Sequence, residues 1–152
     1  MALPNIFTKE ISDQIIARIN KLTPTSAPLF GKMNVGQMLA HCNVAYEMIY
    51  ENKHKKPNGF TKFMLKAFVK KYVVNEVAYK PNGRTAPEFL ITTEKEFDVE
   101  KTRLIDYINK TQQHGETFFE QKESNSFGVL NATEWNNMFY KHLNHHLGQF
   151  AV

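Results

Sequence analysis

The sequence predicts an all-α protein: a four-helix bundle with an additional short helix and a long loop, in one domain over residues 1–152. Three observations carry that expectation. Apolar residues recur at three- and four-residue spacing in five separate stretches, the period that returns a helix to one face. The apolar–polar alternation of a strand does not persist over any length. Finally, 152 residues, 42% hydrophobic and 12% aromatic, can bury a core without disulfide or structural-metal staples.

The first helix is expected over about 8–22, where Ile11, Ile15, Ile19 and Leu22 share a face and Thr8 suits the N-cap. The TPTSAP segment then breaks the chain. The second helix, about 35–51, opens on Asn34 with Gln37 three residues on, the spacing of a capping box. Residues 34–46 contain no Asp, Glu, Lys or Arg, so this helix should be buried on most sides. The third, about 60–74, carries Lys62, Lys66 and Lys70 as a solvated stripe, with Phe63, Met64, Ala67 and Phe68 among the residues filling the rest. Residues 75–97 hold Pro-Asn-Gly and Thr-Ala-Pro and read as a long loop with a short extended piece near 88–93. Loops of that length are uncommon in compact domains and are often functional. The fourth helix, about 99–114, is bounded by Asp98 as N-cap and Gly115 as stop, and buries Leu104, Ile105 and Ile108. A loop containing Phe127-Gly128 follows. Asn131 and Glu134 then form a second capping box and open the fifth helix, about 132–149.

Composition limits the partners. The formal net charge is +4, with eleven Lys+Arg against five Asp+Glu in residues 1–76 and eight against ten in residues 77–152. A basic half can attract nucleic acid or an anionic membrane. The imbalance falls short of the strong bias of nucleic-acid-binding domains, and no stretch approaches the roughly 20 apolar residues of a membrane span. Neither partner is expected. Cys42 is the single cysteine, which rules out an internal disulfide, and the opening MALPNIFTKEISDQ lacks the pattern of a signal peptide. A cytoplasmic location is the expectation.

The chemistry sits on the last helix. Trp135, Met138, Phe139, His142, His146 and Gln149 fall on one face, which begins as core and ends in two imidazoles and an amide. Histidines at i and i+4 can converge on one metal ion. The spacing alone is weak evidence, because on a solvent face it means little. On an apolar stripe the buried ring nitrogens need partners. His145 lies about 100° round the helix and is the poorer ligand; it reads as a surface, rim or substrate-facing residue. His41, in the uncharged second helix with Met38, Ala45 and Met48 along its stripe, supplies a third imidazole. By itself it would read as a core histidine. With the pair it completes a three-histidine set, of the kind bundle cores build from facing helices. No Asp or Glu falls on the histidine faces, so Gln37, Gln149, Asn43 and Glu47 are the candidates for orienting the imidazoles. Cys42 points away from His41 and reads as a small buried hydrophobe.

The segments GQMLAHC (36–42) and YKHLNHHLGQF (140–150) resemble the DinB/YfiT-like superfamily of metal-dependent bacterial enzymes, and within it a subfamily known as a domain of unknown function. The resemblance spans nearly the whole chain, and its specific part is these two segments. It implies His41, His142 and His146 as ligands of a divalent metal, with Gln149 matching a glutamine common after the motif. The subfamily often carries His-Pro before the Phe-Gly that precedes its last helix; here Asn125-Ser126 stand there.

Three neutral histidines leave a coordination position open, unlike closed structural zinc sites. Zinc and nickel both suit imidazole. The resemblance implies a small-molecule substrate and either of two chemistries: S-transfer of a low-molecular-weight thiol such as bacillithiol or mycothiol, or metal-dependent hydrolysis. A non-enzymatic binding module is the competing class. The third helix, with its lysines and aromatics, could serve as a membrane-surface or partner-binding element, or build a homodimer from its apolar surplus.

Overall fold

The computed structural model describes residues 2–51 and 53–152. Local caps set most helix starts. The Thr8 hydroxyl accepts from the Ile11 N–H and opens α1, Lys9–Asn20. The Asn34–Gln37 capping box opens α2, Val35–Tyr50. Asn58 caps α3, Gly59–Met64, which runs through a π-helical turn at Leu65–Val69 into α4, Lys70–Val74. Residues 75–96 then form a long loop whose local structure is a 3-10 turn at Pro87–Phe89, where the sequence suggested an extended piece. The proline fixes φ at the first position of that turn and so favours the curled form.

α5 runs from Phe97 to Phe119, longer at both ends than expected. Its N-cap position is Glu96, and Asp98 lies inside the first turn, where its charge favours the positive end of the helix dipole. Gly115 does break the helix, with φ 67° and ψ −180°, but the chain resumes a further turn to Phe119. The left-handed φ is what glycine permits at low cost. The segment read as loop after it contains a hairpin: β1, Lys122–Ser124, pairs antiparallel with β2, Gly128–Leu130, in the register Lys122 to Leu130. Ser124 Oγ accepts from the Phe127 N–H at 2.9 Å and closes the turn. The Asn131–Glu134 capping box opens α6, Ala132–Gln149, with the predicted bounds.

The protein is thus mostly helical, with one short hairpin. α1, α2, α5 and α6 enclose one core in which Ile15, Ile19, Tyr46, Leu104, Ile108, Phe119, Trp135 and Phe139 are almost fully buried. Aromatic rings join the helices: Tyr46 of α2 stacks on Phe139 of α6 with centroids 4.9 Å apart, and Phe139 meets Phe119 of α5 edge-on at 5.5 Å. Among the described residues no helix is long and apolar enough to cross a membrane.

The 59–74 rod keeps only Lys66 of the expected solvated stripe exposed. Lys62 and Lys70 turn toward the body of the protein and pair with Glu123 and Glu134, while Phe60, Phe63 and Phe68 face solvent. The rod meets the core along a narrow seam of Leu65, Val73 and Val74.

Candidate metal centre

His41 sits in the middle of α2, and His142 and His146 sit one turn apart on α6. The aromatic stack that fixes α2 against α6 also brings these three imidazoles together. One ring nitrogen from each lies within 4.8 Å of the other two. The ring centroids are 4.8 Å apart for His41–His142, 4.4 Å for His41–His146 and 4.9 Å for His142–His146. His41 and His146 are buried, and His142 is partly so.

Hydrogen bonds orient the rings. His41 Nδ1 lies 2.8 Å from the main-chain oxygen of Phe89. A carbonyl only accepts, so Nδ1 carries the proton and Nε2 presents a lone pair. His146 Nδ1 lies 2.8 Å from Gln149 Oε1, and the same amide donates Nε2–H to the Phe30 carbonyl at 2.7 Å. That second bond fixes which end of the amide faces His146, so His146 Nδ1 is also the donor and its Nε2 is also free of a proton. His41 Nε2 and His142 Nε2 stand 2.8 Å apart. Ligating histidines commonly donate their other N–H to a carbonyl in this way.

Charge is suppressed throughout the cluster. Burial lowers the pKa of His41 against the opposing Phe89 bond. Burial, reinforced by the neighbouring imidazoles, drives His142 far below the usual histidine range. Burial, with His41 nearby, pushes His146 down to about 3. All three are neutral at pH 7, the form that coordinates a metal.

The set fits a divalent ion with a preference for nitrogen. Nitrogens about 2.05 Å from a tetrahedral zinc stand about 3.3 Å from one another. The observed separations of 2.8 Å and up to 4.8 Å bracket that value. Imidazoles suit zinc, nickel, copper and iron better than the hard oxygen-seeking magnesium and calcium.

The other residues singled out from the sequence are spread around this centre. Gln149 orients His146 directly. Gln37 instead bridges the start of α2 to the long loop, accepting from the Asn34 N–H at 3.0 Å and donating to the Thr93 carbonyl at 3.3 Å. His145 is half-buried beside the triad, its ring 4.9 Å from His146, 5.4 Å from Phe30 and 5.8 Å from Tyr79. Asn43 and Glu47 lie elsewhere: Asn43 donates to Glu100, and Glu47 is held by Lys53, His54 and Arg103. Cys42 is buried with its sulfur 3.8 Å from that of Met38, and burial pushes its thiol up, away from reactivity.

Residues 7–152 match the model of a family described as "Protein of unknown function (DUF1569)". The chain belongs to that family. No curated protein and no solved structure matches it. The DUF1569 description assigns no activity, so the reading of this centre rests on its geometry. Two contributions were invisible in the sequence: the carbonyls of Phe89 and Phe30, which anchor His41 and Gln149. Phe89 also turns its ring edge-on to His41 and His142, at 5.4 and 5.7 Å.

Proposed function

We propose that the chain is a metal-dependent enzyme of the DinB/YfiT-like kind, with α1, α2, α5 and α6 as its four-helix bundle. It would transfer a low-molecular-weight thiol to an electrophile, with zinc or nickel on His41, His142 and His146. The observation that carries this reading is the pair of anchored imidazoles. His41 and His146 each spend their Nδ1–H on a fixed acceptor and leave Nε2 unprotonated, and one ring nitrogen of each lies in the cluster that His142 completes. Three protein ligands leave a position open for substrate. A dication bound there supplies Lewis acidity, which lowers the proton affinity of a coordinated thiol or water.

The residues around the centre favour a thiol over water. Among the described residues, the hydrogen-bond partners of the three imidazoles are a main-chain carbonyl, the Gln149 amide and one another; none is a carboxylate. A free thiol ionises near about 8.5 and needs only a small push at neutral pH. Water starts from about 15.7, and metal-dependent hydrolases commonly add a carboxylate base. The rings of Phe89 and Phe30 stand beside the histidines, Phe89 edge-on to His41 and His142 and Phe30 against His145.

The test is conjugation of bacillithiol or mycothiol to a chlorodinitrobenzene-type electrophile, with and without added zinc or nickel. Metal-dependent conjugation that disappears in His142→Ala is expected. No metal-dependent conjugation with any bacterial thiol would sink the transferase reading, and metal-dependent ester hydrolysis in its place would move the assignment to a hydrolase.

A further inference from the structure

The rod from α3 to α4 presents an unusual outer face. Phe60, Phe63, Phe68 and Tyr72 are 74%, 64%, 59% and 61% exposed. Isolated exposed apolar side chains are ordinary, but a contiguous run of large ones marks an interaction surface. The π turn makes the run continuous. Its closing bond joins the Lys70 N–H to the Leu65 carbonyl, five residues back instead of four. The extra residue brings Lys70 to the inner side, where its amine meets Glu134 at 2.7 Å, and leaves Phe68 and Tyr72 in line with Phe60 and Phe63 outside.

The same stretch is basic. Residues 53–87 contain nine Lys+Arg and a single acidic residue, Glu76. Lys55, Lys56, Lys66 and Lys71 are exposed along the face or just before it, and the Lys71 amine lies 5.0 Å from the Tyr72 ring centroid. This charge selects the occupant. A second copy docking through the same face would set lysines against lysines across a two-fold axis, a repulsive arrangement. Single-stranded nucleic acid is held in grooves, and this face is the convex side of one helix. An anionic lipid surface uses both features at once. Rings and Met64 enter the headgroup–acyl boundary, while the lysines run their stems along apolar surface and reach lipid phosphates.

We propose that the outer face of residues 59–74 seats the protein on an anionic membrane surface, lying on the bilayer without crossing it. This inference is independent of the metal centre and departs from the composition-based expectation of no membrane partner.

Flotation of the full chain with vesicles of phosphatidylcholine alone, or mixed with phosphatidylglycerol, tests it. The protein should float with the mixed vesicles, less so as salt rises, and remain behind with the neutral ones. Phe60→Ser/Phe63→Ser/Phe68→Ser should lower the partition coefficient by about tenfold or more. Lys66→Glu/Lys71→Glu should do the same, since each lysine near such a surface is worth roughly fivefold. Far-ultraviolet circular dichroism checks that both variants keep the helical fold. The salt dependence of the unaltered chain stands as a readout that needs no variant. The proposal is overturned by no flotation with the mixed vesicles, by equal flotation with both compositions, or by flotation indifferent to the substitutions. A dimer in sedimentation velocity that the serine substitutions dissolve would also overturn it, as would tighter binding to duplex DNA through the same lysines.

Discussion

Gln149 shows how one side chain can set the chemistry of a histidine it does not replace. Its amide is pinned by the Phe30 carbonyl and turns its oxygen to His146 Nδ1, so Nε2 is the nitrogen left with a lone pair. The chain makes room for it at Gly31: a Cβ there would lie 2.6 Å from Gln149 Nε2, and the backbone has φ +82°. Gln149→Ala should therefore weaken zinc binding by about 10–100-fold while leaving helix content intact, as measured by competition with a chromophoric chelator. An unchanged affinity would mean that His146 is oriented by packing alone. At this scale the gathering of the three histidines and the place of Gln149 beside them were legible, because i, i+4 and i+3 spacings on a helix are read directly from the residue letters. The anchors Phe89 and Phe30 were not, since every residue carries the same carbonyl. Gln37 has a side chain that fits either role; its capping-box geometry, equally legible, is what occupies it.

At the scale of elements, α2 and α5 are tied by a charged network at the end of α2 away from its capping box. Glu47, buried on α2, takes Arg103 of α5 together with Lys53 and His54, and Arg103 also reaches Glu100 at 2.8 Å. Burial by itself would raise the Glu47 carboxyl, but hydrogen bonds from Lys53, His54 and Arg103 outweigh it and hold its pKa below the usual value. A folded pKa below the unfolded value of about 4.3 contributes stability that is fully present above that pH and is lost as pH falls through the folded value. Glu47→Gln should cost about 1–3 kcal/mol in urea unfolding at pH 7. It should also flatten the loss of stability between about pH 5 and the acid limb. An unaltered acid limb would show that other carboxylates govern it. Element boundaries followed the sequence wherever the signal was local: Thr8, the Asn34 box and the Asn131 box fixed three starts. They departed where tertiary contacts intervened. Strands of three residues are too short for periodicity to register, and α5 resumes after Gly115 because Phe119 is drawn fully into the core. Of the rod's lysine stripe, Lys66 is exposed as expected, Lys62 is drawn in by Glu123, and Lys70 lies beyond a π turn that shifts the register a 3.6-residue period assumes.

For the whole molecule, the core acts as the rigid frame of the centre. Tyr46, Phe139, Trp135 and Phe119 lock α2, α5 and α6 together. His41 is thereby held against His142 and His146 without covalent help. Burial removes the charge from all three imidazoles, and the long loop supplies the Phe89 cap over them. The arrangement gathers three neutral imidazoles, two of them oriented by fixed acceptors, into a set that could hold a divalent ion. Elemental analysis after loading with zinc or nickel and desalting, on the unaltered chain beside His142→Ala/His146→Ala, tests that claim most directly. About one ion per chain in the first preparation and little in the second is the predicted result. Equally little metal in both preparations would contradict it.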